Sequence, residues 1–185
     1  MTDDFVAWAA QLAQDNLVGM SRRWRHVQGV ARRAQQAVDV VDDSDLLLAA
    51  AWLHDIGYAP SIRRTGFHPV DGAEFLRREG VPERLCALVA HHSCARVEAN
   101  YRKIEIDWPD EQTALRDALW WADMTTTPTG ETTDVLSRIA EVRERYGPDH
   151  VVSRSLAEAA PELIEAANHT EKLLRDWSDS IGSHV

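Results

Sequence analysis

The segment Leu46–Leu53 limits the fold most, because all eight of its residues are apolar. A helix that is apolar on every side has to be buried among other elements. The preceding Asp43-Ser44-Asp45 supplies N-cap residue types, and Gly57 and Pro60 favour an end to the helix beyond it. The segment is far shorter than the roughly 20 residues of a membrane span. We therefore predict a central, buried helix and no transmembrane segment.

Apolar residues recur at helical spacing along most of the chain. They include Phe5, Ala9 and Leu12, then Trp24, Val27, Ala31, Ala34, Val38 and Val41, and finally Leu163, Ala167, Leu174 and Trp177. Further helices are expected near Val70–Arg78, Glu83–His92 and Leu115–Met124. At 185 residues the chain has the size of one domain. The pattern predicts an all-α, compact helical bundle that forms a single domain over residues 1–185.

Glycine, proline and polar residues mark the predicted connections between these helices. The connections lie at Tyr58–Pro69, Gly80–Pro82, Ala95–Asp110, Thr125–Thr133, Gly147-Pro148 and Pro161. Within the third of them, Ile104, Ile106 and Trp108 alternate as the residues of a short strand would. We expect that stretch to be irregular, with a short strand as the alternative.

The charge balance argues against polymeric anions as partners. Thirty acidic and twenty basic residues give a formal net charge of −10, so nucleic acids and anionic membranes meet net repulsion. A small anionic substrate remains compatible, because a metal ion and a few arginines can reverse the potential locally. Cys86 and Cys94 lack CxxC spacing, and the acidic start Met1–Asp4 does not resemble a secretory leader. We expect free thiols and a cytoplasmic location.

His54-Asp55 directly follows the apolar segment, and this position is the first sign of a functional site. A carboxylate at the end of a buried helix needs water, hydrogen bonds or a cation, because an uncompensated buried charge is costly. Five of the eight histidines lie between positions 26 and 92. A metal ion would compensate the aspartate and use these imidazoles as ligands.

Helical phase separates the neighbouring histidines His91 and His92. His92 shares a helix face with Leu85, Leu88 and Val89 and is predicted to point inward. His91 is turned away from these residues. It is therefore either a solvated neighbour, a hydrogen-bond donor to the substrate, or a replacement for His92 as ligand.

Two further candidate ligands lie on other predicted helices. Asp123 follows Leu119 and Trp120 at helical spacing, which places its carboxylate beside two large apolar side chains. His26 lies at the edge of an apolar stripe, as a residue lining a cleft would. One ion would be bound by His26, His54, Asp55 and Asp123, and a second by His68 and His92 with Asp55 as a bridge. Imidazole and carboxylate ligands without thiolate suit Fe, Mn, Co, Ni, Mg or Zn.

The order of His26, His54-Asp55 and Asp123 resembles the H…HD…D pattern of the HD-domain metal-dependent phosphohydrolase superfamily. The resemblance covers a metal-binding core of about residues 22–124 and implies an all-helical fold, with C-terminal helices in 131–180 packing on that core. His68 and His92 resemble the additional ligands of a six-ligand, dinuclear subgroup. This subgroup includes bacterial symmetrical diadenosine tetraphosphatases and di-iron oxygenases that act on inositol or aminophosphonates.

The resemblance implies hydrolysis of a small phosphate ester or nucleotide by a metal-bound hydroxide, with one or two divalent ions as cofactors. Asp55 would orient the ions, and Arg96, which matches the arginine of an H-x-x-x-R segment, would offset charge on the phosphate. Further candidates for substrate binding, together with Arg96, are Arg63, Arg64 and His91. No lysine closely follows His54–Gly57, and Asp123 lacks a Pro- and Arg-containing continuation, so the substrate class stays open.

Two alternative functions remain at this point. The same six ligands suit a di-iron oxygenase acting on a polyol or phosphonate, and an HD-type sensor would bind a nucleotide without turnover. The Trp-rich faces leave a homodimer open. No GxxxxGK[ST], GxGxxG or GxSxG motif occurs, which disfavours NTP-driven, dinucleotide-dependent and serine acyl-transfer functions.

Overall fold

The computed structural model describes residues 3–182 of the chain. Nine α-helices lie in this range, and it contains no β-strand beyond an isolated bridge between Thr126 and Thr132. The helices are α1 (Asp3–Leu17), α2 (Ser21–Ala34), α3 (Ser44–Leu53), α4 (His68–Arg78), α5 (Glu83–His91), α6 (Ala95–Arg102), α7 (Ala114–Met124), α8 (Val135–Tyr146) and α9 (Val151–Gly182). None of these nine has the length and apolarity to cross a membrane. The predicted all-α fold is confirmed.

Helix α3 lies at the centre of the bundle, as its uniform apolarity predicts. The Asp43 carboxylate accepts a hydrogen bond from the Leu46 backbone N–H at 3.0 Å and caps the first turn. Helices α1, α2, α5 and α7 pack around α3, and most of its residues are buried. Because α3 ends at Leu53, the following His54 and Asp55 lie inside the bundle rather than at its surface.

The C-terminal helices cover one side of this core. Helix α9 packs on α6, α7 and α8, so the C-terminal region lies against the helix that carries the candidate ligand Asp123. The helix break predicted at Pro161 is wrong, because α9 runs from Val151 to Gly182 without interruption. Pro161 faces solvent, where water can satisfy the carbonyl that a proline leaves free, and Ala159 and Leu163 hold both sides of the helix in the core.

The stretch Ala95–Asp110, all of it described, contains helix α6 and no strand. Ser93 and Cys94 have positive φ angles of 47° and 59°, and this left-handed turn reorients the chain after α5. Ile104 and Ile106 pack against a small cluster around Phe67 instead of pairing with a neighbouring strand. The predicted irregular conformation is therefore wrong for Ala95–Arg102, which is helical, and confirmed for residues 103–110. The alternative strand is wrong, because Ile104 and Ile106 are held by tertiary contacts and not by strand pairing.

Two close backbone approaches bring distant segments onto the core. A Cβ on Gly57 would lie 2.0 Å from the carbonyl oxygen of His68, so glycine is required where the turn after α3 meets the start of α4. Gly130 has a φ of +86°, and a Cβ on Gly29 would lie 2.6 Å from the Gly130 Cα. The loop between α7 and α8 therefore rests directly on α2.

Candidate metal centre

Five segments of the bundle bring six titratable side chains together in its interior. They are His26 on α2, His54 and Asp55 after α3, His68 at the start of α4, His92 after α5 and Asp123 near the end of α7. Five of them are buried and His68 is partly exposed. All six residues predicted as metal ligands thus lie in one place, although His26 and Asp123 are 97 positions apart.

Asp55 lies between two groups of histidines, with one carboxylate oxygen toward each group. Its Oδ2 is 3.3 Å from Nε2 of His54 and 3.7 Å from Nε2 of His26. Its Oδ1 is 3.2 Å from Nε2 of His68 and 3.8 Å from Nε2 of His92. Each group, with Asp55, places three ligand atoms close enough to hold a metal ion. The two groups therefore form two clusters that share one carboxylate, and each is able to hold a metal ion.

Backbone carbonyls fix the orientation of three of these histidines. Each ring places Nδ1 against a carbonyl oxygen: Thr127 for His26 at 3.0 Å, Ala51 for His54 at 2.8 Å, and Val89 for His92 at 2.7 Å. A carbonyl oxygen only accepts, so Nδ1 carries the proton and donates it. In the neutral ring Nε2 is then left with a lone pair directed into the clusters, as in metal-ligating histidines.

These Nε2 atoms face carboxylate oxygens, and two acceptors cannot bond without a proton or a cation between them. Nε2 of His54 is buried and has no hydrogen-bond partner within the described residues. Nε2 of His26 lies 3.0 Å from Oδ1 of Asp123, and burial lowers the pKa of His26, which disfavours a second proton on its ring. Imidazole lone pairs opposed to carboxylates are a donor set of divalent metal sites. The residues therefore fit a bound divalent metal ion.

Charged neighbours keep the two aspartates ionised. Burial would raise the pKa of Asp55, but Arg23 and His54 hold it well below its usual range. Burial also opposes ionisation of Asp123, yet the neighbouring His26 and His54 keep its pKa below the ordinary value. Both carboxylates are thus available as anionic ligands at neutral pH.

The pKa values of the histidines shift in different directions. Burial and two neighbouring imidazoles lower the pKa of His92 to about 3, so its ring is neutral at neutral pH. Burial also disfavours a charged His54, but Asp55 and Asp123 outweigh this effect and raise its pKa. The two carboxylates therefore attract positive charge to the position that His54 faces, and a proton and a metal ion would compete for it.

Arg23, Tyr58 and His68 form a stack beside the clusters that sequence reasoning missed. The Arg23 guanidinium forms an ion pair with Asp55 and lies 3.9 Å from the centre of the Tyr58 ring. The Tyr58 ring in turn stacks on His68, with centroids 3.9 Å apart and an interplanar angle of 21°. Arg23 precedes His26 by three positions and so shares its helix face, which is the local signal that could have identified it.

Ser93 is a second residue that sequence reasoning missed. Its hydroxyl donates to Oδ2 of Asp123, which leaves Oδ1 of that carboxylate for the clusters. The left-handed backbone at Ser93 places the hydroxyl there. Such a conformation is unusual for a residue other than glycine and is a mark of functional sites. Nothing in the local sequence predicts it.

A cleft lies over the clusters and opens to solvent. Its floor includes His26, Asp55, His68, His92 and Asp123. Its opposite wall comes from α8 and the start of α9 and includes Arg138, Val142, Arg145, Tyr146 and Leu156. Sequence reasoning missed Arg138 and Arg145. Their spacing puts both on one face of α8, but no local signal shows that this face covers the cleft.

The structure does not bring the other predicted substrate-binding residues to the cleft. Arg96 on α6 does not line the cleft and forms an ion pair with Glu162 on α9, and its catalytic role stays a prediction. Arg63 and Arg64 are exposed in the loop before α4. This loop is held from the other side, where the backbone N–H of Arg64 donates to Asp71 at 3.0 Å.

The structure also corrects the predicted position of His91. His91 is buried rather than solvated, and its Nε2 lies 2.8 Å from the carbonyl oxygen of Trp108. The segment after α6 folds back over α5 and covers this face of the helix. His91 therefore lies outside the cleft, whereas His92 faces His68 with their Nε2 atoms 3.1 Å apart.

Comparison with protein families returns a match to the HD domain over residues 23–180. The chain belongs to the HD domain family. Comparisons with curated proteins and with solved structures return no match. The HD domain match begins at Arg23 and extends into α9, so it contains the helices of the arginine-bearing wall as well as the six clustered residues.

Proposed function

We propose that this HD domain protein is a metal-dependent phosphohydrolase that acts on a small phosphate ester or nucleotide. The observation that carries the proposal is Asp55, whose two carboxylate oxygens face two groups of histidines at the floor of a cleft. Arginines from α2 and α8 line the same cleft. Anionic ligands for a metal and cations for a phosphate are thus combined in one site, although the chain as a whole carries a formal charge of −10.

The six clustered residues would hold the metal. His26, His54, Asp55 and Asp123 would bind one divalent ion, and His68 and His92 would bind a second that shares Asp55. Ions at these positions would polarise a phosphoryl oxygen and supply a water nucleophile at neutral pH. Asp55 would orient the two ions, because each of its carboxylate oxygens already faces one cluster.

The other residues of the cleft would position the substrate. Arg23 is fixed between Asp55 and Tyr58 and would place its guanidinium beside a phosphate bound at the clusters. The Tyr58 ring would hold the partly exposed His68 in its orientation. The wall from α8 and α9 would limit access of bulk water and strengthen the electrostatic interactions in the cleft.

The test is a metal-reconstitution assay. Protein purified anaerobically, analysed for metal and then stripped is supplied with Mn, Fe, Co, Ni, Mg or Zn and screened against nucleotides and phosphomonoesters. We expect metal-dependent release of phosphate, and an Asp55→Ala variant should lose more than the roughly 100-fold that removal of an outer-shell partner costs. Asp107→Ala is the control, because Asp107 is an exposed aspartate bound to Arg77. Turnover that survives Asp55→Ala would overturn the proposal.

A di-iron oxygenase is the second candidate, since the shared Asp55 and the six clustered residues suit two irons equally well. It requires iron-specific absorption or paramagnetic resonance and oxygen consumption with a polyol or phosphonate. An iron-free enzyme that hydrolyses a phosphate ester excludes it. Binding of a nucleotide with thermal stabilisation and no turnover would instead favour the non-catalytic sensor.

A further inference from the structure

A second solvent-open depression, the second chamber, lies next to the cleft over the metal clusters, which is the first chamber. The two chambers share Arg23, His26, Tyr58, Arg138 and Arg145 as lining residues. Met20, Ser21, Arg22 and Pro128 line the second chamber only. The two chambers are therefore adjacent, and the three arginines among the shared residues line both of them.

Four arginines meet at this junction, and we call Arg22, Arg23, Arg138 and Arg145 the arginine cluster. Two carboxylates oppose them. Glu141 accepts from Arg22 at 3.3 Å, from Nε of Arg145 at 3.0 Å, and from Arg138. Asp55 pairs with Arg23. Four guanidinium groups against two carboxylates leave two positive charges.

The two remaining acidic groups of the first chamber, Asp123 and Glu98, do not cancel this excess. Asp123 belongs to the metal clusters, where His26 and His54 face it. Glu98 lines the first chamber, but it already accepts a hydrogen bond from Nε of Arg102 at 2.6 Å. It does not line the second chamber. The positive charge at the junction is therefore a local feature of a chain that is strongly acidic overall.

Arg138 gives an independent indication of a ligand. Its side chain is only 10% exposed, and its Nε is buried without a hydrogen-bond partner among the described residues. A buried donor that lacks a partner is costly and uncommon in folded proteins. Only its Nη1 has a side-chain acceptor within the described part of the chain, Glu141. Because Arg138 lines both chambers, an anion at the junction would add an acceptor to the same guanidinium, and Nε would gain one when the side chain turns toward the anion.

We propose that the arginine cluster binds a second phosphate group of the substrate, next to the one held at the metal clusters. The inference rests on the proposed function and adds the substrate class to it, namely small molecules that carry two neighbouring phosphate groups. Planar guanidinium groups match the oxygens of phosphate in a bidentate manner. The ion pair of Arg23 with Asp55 joins the two subsites, which requires the two phosphates to lie close together.

The test compares the binding of inorganic pyrophosphate and inorganic phosphate to full-length, manganese-loaded protein by calorimetry. Wild type should prefer pyrophosphate, and Arg138→Gln and Arg145→Gln should each reduce that preference about tenfold, since a hydrogen bond to a charged group is lost. Arg143→Gln is the matched control on α8, because Arg143 is exposed and lines neither chamber. Arg138→Lys, which retains the charge, should give a smaller reduction.

The outcomes separate this proposal from the proposed function. A preference for pyrophosphate that depends on Arg138 and Arg145 supports the second subsite even if no phosphate ester is hydrolysed. Equal weakening of both anions, or no change in any variant, overturns it even if hydrolysis is observed. Thermal melting of each variant shows whether it is folded. If Arg138→Gln does not fold, the two single variants Arg145→Gln and Arg138→Lys still test the proposal.

Discussion

The floor and the covering wall of the cleft are held in different ways. On the floor, three histidine rings donate to backbone carbonyls of α3, α5 and the loop after α7, and His54 is completely buried. On the wall, Arg138 and Arg145 are held by ion pairs to the side chain of Glu141. The floor rings are therefore fixed to the main chain, whereas the wall arginines are fixed to a side chain, and we expect the floor to be the more rigid of the two. In such a site the candidate metal ligands keep their positions, while the arginines of the wall can adjust to the bound molecule.

The largest effect should come from removing a floor imidazole. We expect His54→Ala to lower manganese affinity by more than the roughly 100-fold typical of outer-shell partners, because Nε2 of His54 faces both carboxylates. Calorimetry and metal analysis of the purified variant measure it. His169→Ala is the control, since that histidine is exposed on α9. Unchanged metal content in His54→Ala would show that the floor is not a metal site.

Replacing Ser93 should have the next largest effect on metal binding. Ser93→Gly removes the hydroxyl bonded to Asp123 but suits the positive φ, so manganese affinity should fall about 10–100-fold without loss of thermal stability. Ser93→Ala should show the same loss of affinity together with a lower melting temperature. If both variants bind manganese like wild type, the hydroxyl does not position Asp123.

Gly57→Ala tests how rigid the floor is. A Cβ at this position would lie 2.0 Å from the carbonyl oxygen of His68, so one backbone has to move, at a cost of about 1–3 kcal/mol or more in the free energy of unfolding. Gly19→Ala is the control, because it has open space around it, and should change stability by less than about 0.5 kcal/mol. Equal denaturation midpoints for the two variants would contradict a rigid floor.

The metal-free floor should also respond to acid. The pKa of His92 is about 3 in the folded protein against 6.5 ordinarily, so the unfolded chain takes up a proton first as pH falls below about 6.5. Stability of chelator-treated protein should then decrease by roughly 1 kcal/mol per pH unit toward pH 3. Burial lowers the pKa of His26, which also decreases stability as pH falls. The raised pKa of His54 has the opposite effect on stability. Denaturant titrations of wild type and His92→Gln measure this, and equal slopes would refute it.

The smallest effect is expected on the wall. Arg145→Gln removes an ion pair with Glu141 in which both side chains are partly exposed, and such a pair contributes less than about 1 kcal/mol. Thermal melting should therefore shift little, and less still at high salt. A loss of stability as large as that of Gly57→Ala would show that the wall is as rigid as the floor, which would contradict the difference between the two regions.

The floor could be predicted because its signals are local. An apolar helix that ends on His54-Asp55 places a carboxylate in the interior, and helical phase directs His92 inward. Phase reasoning was wrong about His91, because the carbonyl of Trp108 arrives from a segment 17 positions away and buries it. Most of the nine helices follow the same rule, since their bounds depend on periodicity and capping within each segment, but α6 was not predicted and α9 was predicted with a break at Pro161.

The wall could not be predicted because it depends on tertiary packing. Arg96 has the spacing expected of a phosphate ligand, but the left-handed turn at Ser93 and Cys94 starts a helix that directs it toward Glu162. The arginines that do line the cleft lie on α8, and only the packing of α8 and α9 brings them there. Residue spacing carries no information about either contact.

The long separation between the first and last of the clustered residues also bears on biogenesis. His26 and Asp123 are 97 positions apart, and the carbonyl that orients His26 belongs to Thr127. A nascent chain that does not yet include α7 lacks Asp123 and cannot complete the group of six clustered residues. Contacts between such distant segments form slowly and late in folding. We therefore expect a metal ion to bind only after the chain through α7 has been made and folded, so that bound metal would distinguish folded chains from chains truncated before α7.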